Sequence, residues 1–205
     1  RFKHQVNTIT AWGSSYPGRQ TTDNDGPHID MAYFTLDFPR GASAKIGRQY
    51  FKLGRGLVLG NVLDGMKLKK LFRKSILKAY LAFTRPHTNN IDTSVPGYQL
   101  GSNRMFAALA GEYRMTSGRR FYSYLLREED RSEEIPDDPA QTYDYDATYL
   151  AFGADGELTN TFIYWGETVK QWGQTPVSGT TATAKVDASA FTLGASWLPR
   201  VRMHP

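Results

Sequence analysis

The sequence predicts an all-β fold: an up-and-down antiparallel transmembrane β-barrel, with about ten strands in 205 residues. Three observations predict it. Apolar and polar side chains alternate with period two in segments of about ten residues, the length of a tilted membrane strand. The connections between these segments alternate long and short, the asymmetry of barrels with short periplasmic turns and longer extracellular loops. Apolar residues make up 40% and aromatic residues 13% of the chain, which suits a wall that is apolar on one face only.

The elements follow in order. Residues 1–12 read as a strand, with Phe2, Val6 and Trp12 on one parity, and 13–26 as a polar loop. A second strand, 29–38, turns at Pro39-Arg40-Gly41-Ala42 into a third, 44–53, and a Gly-rich excursion covers 54–62. The fourth strand, 65–72, sets Met66, Leu68 and Phe72 against Gly65, Lys67 and Lys69. After a turn at 73–75, the fifth, 76–84, sets Leu77, Ala79, Leu81 and Phe83 against Lys78, Tyr80 and Thr84. A long loop, 85–98, leads to the sixth strand, 99–115, with Met105, Ala107, Leu109, Gly111, Tyr113 and Met115 on one face. A turn at 116–118 opens the seventh, 120–128, whose outward parity the pattern leaves open. The acidic segment 129–141 is a loop, since Pro136 ends any helix begun at 128–134. The eighth strand, 143–152, separates Tyr143, Tyr145, Ala147, Tyr149 and Ala151 from Asp144, Asp146 and Thr148. The Asp155-Gly156 pair signals a tight hairpin at 154–156. A ninth strand runs from 157 to about 165, a long loop covers 166–184, and a tenth strand, 186–198, puts Phe191, Leu193, Ala195 and Trp197 outward.

No run approaches the ~20 apolar residues of a spanning helix. No signal peptide is visible, and the chain starts at Arg1 already in a strand pattern. It reads as a single barrel domain over 1–205, mature or partial, with Pro199 leading towards a further strand. Cysteine is absent, which excludes disulfides and cysteine-ligated zinc. The net charge is +5, but the basic residues are scattered along strands without a tail or an RNA-binding motif, so nucleic acid is excluded as a partner. The expected surroundings are the bacterial outer membrane, its lipid and its lipopolysaccharide, with other envelope proteins admitted as partners.

The candidate site is the polar face of the wall. Arg48, Lys67, Lys69, Lys78, Arg104 and Arg114 lie opposite the apolar parity, where they would line a lumen with Glu112, Asp144 and Asp146. Rings of Lys or Arg in a pore favour anions. The alternative is that these charges only solubilise the wet side of the wall and pair with the three carboxylates. Lys67 and Lys69 carry the lumen reading best, because their strand offers no acidic neighbour on that face. Trp12, Tyr33, Tyr113, Tyr122, Tyr143 and Trp197 read as an interfacial girdle rather than as sugar-stacking platforms. Asp23-Asn24-Asp25-Gly26 resembles the start of a calcium loop but lacks the remaining ligands, so no metal and no cofactor is expected.

The pieces Ala32-Tyr33-Phe34, Ile46-Gly47-Arg48-Gln49, Gly54-Arg55-Gly56-Leu57-Val58-Leu59-Gly60-Asn61 and Asp64-Gly65-Met66-Lys67-Leu68 stand in that order over about forty residues. In content and order they resemble the bacterial alginate-export family of outer-membrane barrels. The resemblance implies an eighteen-stranded barrel with a basic lumen for an anionic polysaccharide, of which this chain supplies about ten strands. The expected function is a passive porin or exporter for anionic solutes or polysaccharide. The alternatives are a structural barrel in a larger assembly and a barrel-type outer-membrane enzyme. His28 and Asp30 invite the enzyme reading, but no P-loop, dinucleotide fingerprint, HExxH or G-x-S-x-G is present, and the sequence reading is that the chain is not an enzyme.

Overall fold

The computed structural model describes residues 2–9, 28–84, 103–115, 118–131, 145–159, 161–177 and 182–197. They form ten strands: β1 (Phe2–Ile9), β2 (His28–Phe38), β3 (Ala42–Lys52), β4 (Gly60–Leu71), β5 (Ser75–Phe83), β6 (Arg104–Arg114), β7 (Arg120–Asp130), β8 (Asp146–Thr159), β9 (Phe162–Pro176) and β10 (Thr183–Trp197). All pair antiparallel in one sheet, and their order in the sheet is their order in the chain. This is the up-and-down wall that the sequence predicts. Among the described residues β1 does not pair with β10, so the sheet is open.

The long and short connections alternate as expected. Short links join β2 to β3 and β4 to β5 at one end, and β3 reaches β4 through 53–59 at the other. Two stretches depart from the prediction: β4 begins at Gly60 rather than at 65, and the hairpin expected at 154–156 is not formed. The Asp155-Gly156 pair is not a hairpin: Asp155 lies in the ladder between Arg120 and Trp165, and Gly156 opposite Tyr164. β8 runs on to Thr159, and β9 takes in 166–176, which the sequence reading gave to a loop.

Residues opposite one another in the ladders share a face, so the register assigns the sides. One row reads Phe34, Ile46, Met66, Leu81, Ala107 and another Leu36, Ala44, Leu68, Ala79, Leu109, Leu125, Leu150. Large apolar side chains on this face stand open: Leu109 is 58% exposed, Phe152 55% and Phe191 84%. A water-soluble sheet would cover such a face, whereas a membrane barrel turns it to lipid. The opposite face carries the packed residues Phe51, Leu63, Tyr80, Tyr124, Leu126 and Tyr149 together with the buried polar groups. The register also settles β7, whose interior residues are Arg120, Tyr122, Tyr124, Leu126 and Glu128.

The interior face is filled from within. Residues 53–59 do not extend away from the sheet but fold back over it. Leu53 N–H donates to the Leu59 carbonyl at 3.0 Å and Gly56 N–H to the Leu53 carbonyl at 2.7 Å, which closes the loop on itself. Leu53 and Leu59 are buried in the interior cluster with Tyr122, Tyr124 and Val169. The Arg55 N–H then reaches Glu167 Oε2 on β9 at 2.8 Å. In a flat sheet β4 and β9 lie about 24 Å apart, five strand spacings. A direct hydrogen bond between the β3–β4 loop and β9 therefore requires the sheet to curl around that loop.

Candidate functional site

The interior face divides into three regions. On β5 to β8, Glu112 is a hub. Lys78 Nζ donates to Glu112 Oε1, and Arg114 and Arg120 guanidinium nitrogens stand 3.6 and 3.8 Å from its carboxylate. Arg120 also grips Asp155, with Nε to Oδ1 at 3.0 Å, and its guanidinium lies 5.0 Å from the Tyr122 ring. A cavity of about 280 Å³ opens between this network and the in-folded loop, lined by Lys52, Lys78, Glu112, Arg120, Tyr122 and Tyr124 among others.

On β3 and β4 the interior is basic without counter-charge. Lys45 stands opposite Lys67, and Lys69 opposite Lys78. Among the described residues no carboxylate comes within ion-pair distance of Lys45, Lys67 or Lys69. Lys67 Nζ instead donates to the Tyr50 carbonyl and lies 4.7 Å from the Phe51 ring. Lys45 Nζ lies 4.6 Å from the Tyr33 ring. Aromatic faces attract a cation without neutralising it, so the positive charge of this lane stays without a counter-ion among the described residues.

The third region lies nearer the long-loop end. Arg104 Nη1 donates to Glu128 Oε1 at 2.8 Å, with Asp130 Oδ2 3.7 Å from its Nε. Tyr149 donates to Glu128 Oε2 at 3.0 Å and shares a 3.1 Å hydrogen bond with Tyr145. A cavity of about 490 Å³ separates this cluster from Gly56, Val58 and Leu59 of the loop and Asn61 of β4.

Of the sequence candidates, the structure brings Lys67, Lys69, Lys78, Arg104, Glu112 and Arg114 together on the interior face. Two candidates are corrected. Arg48 lies on the outer parity in the row of Ala32 and Asp64, and its Nη1 is 3.5 Å from Asp64 Oδ2. Asp146 lies on the outer side with Arg127 and Thr148, and Arg127 Nη2 donates to it at 2.7 Å. The physical reason is the same for both. A charged residue can face outward because a neighbour across the ladder carries the opposite charge, and alternation within one strand cannot see that neighbour. Asp144 lies outside the described residues, as do Trp12, Tyr143 and the segment Asp23-Asn24-Asp25-Gly26. Of the girdle aromatics, Tyr113 and Trp197 are on the outer face and exposed, whereas Tyr122 is buried inside and Tyr33 faces inward over Lys45.

The sequence reading missed Lys45, Arg120, Glu128, Asp155 and Glu167 as interior residues. Glu167 matters most. It is 2% exposed and its carboxylate accepts three hydrogen bonds: Arg55 N–H at 2.8 Å, Tyr122 Oη–H at 2.7 Å and Tyr124 Oη–H at 2.8 Å. Two glycines allow it. A Cβ at Gly153 would overlap the Tyr122 ring, which lies across β8 to reach β9. Gly54 takes φ +50°, and a Cβ there would overlap the Glu167 carboxylate. The signal present in the sequence was the β-branched pair Thr168-Val169, which favours a strand beyond 165.

No protein-family model matches the chain. No curated protein matches it either. Among solved structures it is similar to a loop-L8 deletion mutant of OmpT, an outer-membrane protein of Vibrio cholerae, with 10% identity, a TM-score of 0.53, and coverage of 96% of this chain and 64% of that one. A second structure of Vibrio cholerae OmpT, expressed in the outer membrane, has 16% identity, a TM-score of 0.44, and coverage of 82% of this chain and 55% of that one. The fold is that of a bacterial outer-membrane β-barrel. The chain spans less than two thirds of the length of either barrel. The comparisons lend no support to the alginate-export family, so the resemblance over residues 32–68 does not extend to membership. The reading that the chain is not an enzyme is also withdrawn. The solved structures that it matches are OmpT outer-membrane proteins, and sharing their fold leaves a catalytic barrel open.

Proposed function

We propose that this chain forms wall of a passive outer-membrane channel that favours anionic solutes. The observation that supports it most is the pairing of an in-folded loop with an uncompensated basic lane. Residues 53–59 narrow the interior, and Lys45, Lys67 and Lys69 face that interior without carboxylate partners among the described residues. A low-dielectric wall with one sign of charge concentrates ions of the opposite sign along it. Lipid and lipopolysaccharide would contact the outer face, where Leu109, Phe152 and Phe191 are exposed. The test is the zero-current potential of the purified protein in a planar bilayer under a potassium chloride gradient. The reading requires conductance with the sign of anion preference. A cation-selective current would remove the basic lane from the account.

A second reading is a barrel that works as an enzyme at its long-loop end, where β2 begins with His28 and Asp30 in its first three positions. Absence of any conductance, together with hydrolysis of a peptide substrate that His28→Ala abolishes, would replace the channel reading with this one.

A further inference from the structure

We infer that Glu167 is the positioning residue that holds the in-folded loop across the interior, and that it thereby sets the size of solute the channel admits. The inference rests on the channel reading for its consequence, but not for the latch itself.

The argument starts from burial. A carboxylate with 2% exposure is costly unless its oxygens are satisfied. Both oxygens of Glu167 are: Oε1 accepts from Tyr124, and Oε2 accepts from Tyr122 and from the Arg55 backbone. Two donors belong to the wall and one to the loop. The wall pair orients the carboxylate, and the carboxylate fixes the loop. Hydrogen bonds to a charged acceptor are about twice as strong as neutral ones. Stacking reinforces the contact, because the Arg55 guanidinium lies 4.6 Å from the Trp165 ring, two residues along β9 from Glu167.

The geometry separates this role from ordinary core packing. The loop's own closure, from Leu53 to Leu59 and from Gly56 to Leu53, does not involve β9. The loop could keep its shape while swinging off the wall. The hydrogen bond from Arg55 to Glu167, with the stacking on Trp165, is the polar link from the β3–β4 connection to β9, beside the apolar packing of Leu53 and Leu59 in the cluster that contains Val169. The space at stake is the pair of cavities, about 280 and about 490 Å³, on the two sides of the loop. With the loop released they would merge into one wider passage.

The test uses the full-length protein in liposomes, with a nitroxide on Leu57→Cys as the readout of the loop; the chain has no native cysteine to interfere. Glu167→Ala should mobilise the label, shifting the held-to-released ratio by about tenfold or more on loss of a charged acceptor. It should also raise single-channel conductance and admit larger sugars in a swelling assay, while the sign of ion selectivity stays as in the parent. Should Glu167→Ala fail to insert, the Tyr122→Phe, Tyr124→Phe double variant, which keeps the charge and removes the orienting hydroxyls, should show the same mobilisation to a smaller extent. Unchanged label mobility in an inserted variant overturns the latch, whether or not the protein conducts. Mobilised label with an unchanged exclusion limit in a conducting protein overturns the link from latch to solute size. A parent protein with a held label and no conductance refutes the channel reading while leaving the latch intact.

Discussion

Reversing the basic lane should invert ion selectivity. The perturbation is the triple substitution Lys45→Glu, Lys67→Glu, Lys69→Glu. On β3 to β8 the interior parity carries seven cations, Lys45, Lys67, Lys69, Lys78, Arg104, Arg114 and Arg120, against five carboxylates, Glu112, Glu128, Asp130, Asp155 and Glu157, a net of +2. Each reversal moves the tally by two, so the triple variant stands at −4. A unit charge passing about 4 Å from one of these groups feels about 1 kcal/mol in water-like surroundings and several times that beside a low-dielectric wall. Three reversals therefore shift the anion–cation balance by several kcal/mol before screening. Salt reduces this, since the Debye length is about 10 Å at 0.1 M and about 3 Å at 1 M. The assay is the zero-current potential under a potassium chloride gradient. It should change sign at 0.1 M and converge on the parent value at 1 M. The three lysines lack carboxylate partners, so their loss leaves no orphaned acid, and the variant should insert normally. An inserted triple variant that keeps the parent sign at 0.1 M would refute the assignment of the lane to the conduction path.

Three further outcomes follow from the packing. Gly153→Val places side-chain atoms where the Tyr122 ring lies, and such overpacking should destabilise by about 1–3 kcal/mol, read as a lower midpoint for the loss of heat-modifiable gel mobility. Arg104→Met leaves Glu128 buried with only Tyr149 as a donor and should cost about 3–5 kcal/mol in urea unfolding from detergent, while the double variant Arg104→Met, Glu128→Leu recovers much of it. On the outer face, Leu109→Arg should cost about 2–4 kcal/mol in lipid, whereas Arg127→Ala, which breaks the exposed pair with Asp146, should cost less than about 1 kcal/mol; reversal of that order in bilayer unfolding would contradict the facing of β6 and β7.

Much of the wall was legible in the sequence because a barrel strand writes its two faces into alternate residues. On β6, Leu109 and Tyr113 face out and Arg104, Ala108 and Glu112 face in, as the alternation alone predicts. The long–short rhythm of connections was legible for a similar reason, since short turns need Pro and Gly while long loops tolerate anything polar. What the sequence concealed lies between strands. Arg48 and Asp146 face outward because Asp64 and Arg127 answer them across the ladder, and a single strand carries no record of its neighbour. Asp155-Gly156 has the chemistry of a hairpin turn, yet here Asp155 holds Arg120 and the adjacent Gly153 makes room for Tyr122. Gly153 and Gly194 in this sheet mark where a large side chain, Tyr122 or Trp165, lies over a neighbouring strand. The in-folded loop was least legible. Residues 54–62 read as a Gly-rich excursion at the long-loop end, of which 60–62 belong to β4, and the return of the loop to Glu167 depends on the curvature of the six strands β4 to β9 together.

The central claim is that one face of this sheet meets lipid and the other encloses a wet, charged interior. Single cysteines along β6 from Met105 to Tyr113, spin-labelled in a bilayer, test it most directly. Collision with oxygen, which partitions into lipid, should be high at 105, 107, 109, 111 and 113 and low at 106, 108, 110 and 112, with the opposite order for a water-soluble nickel complex wherever the interior is open. Accessibility that does not alternate along the strand, or alternates with the opposite parity, would contradict the account.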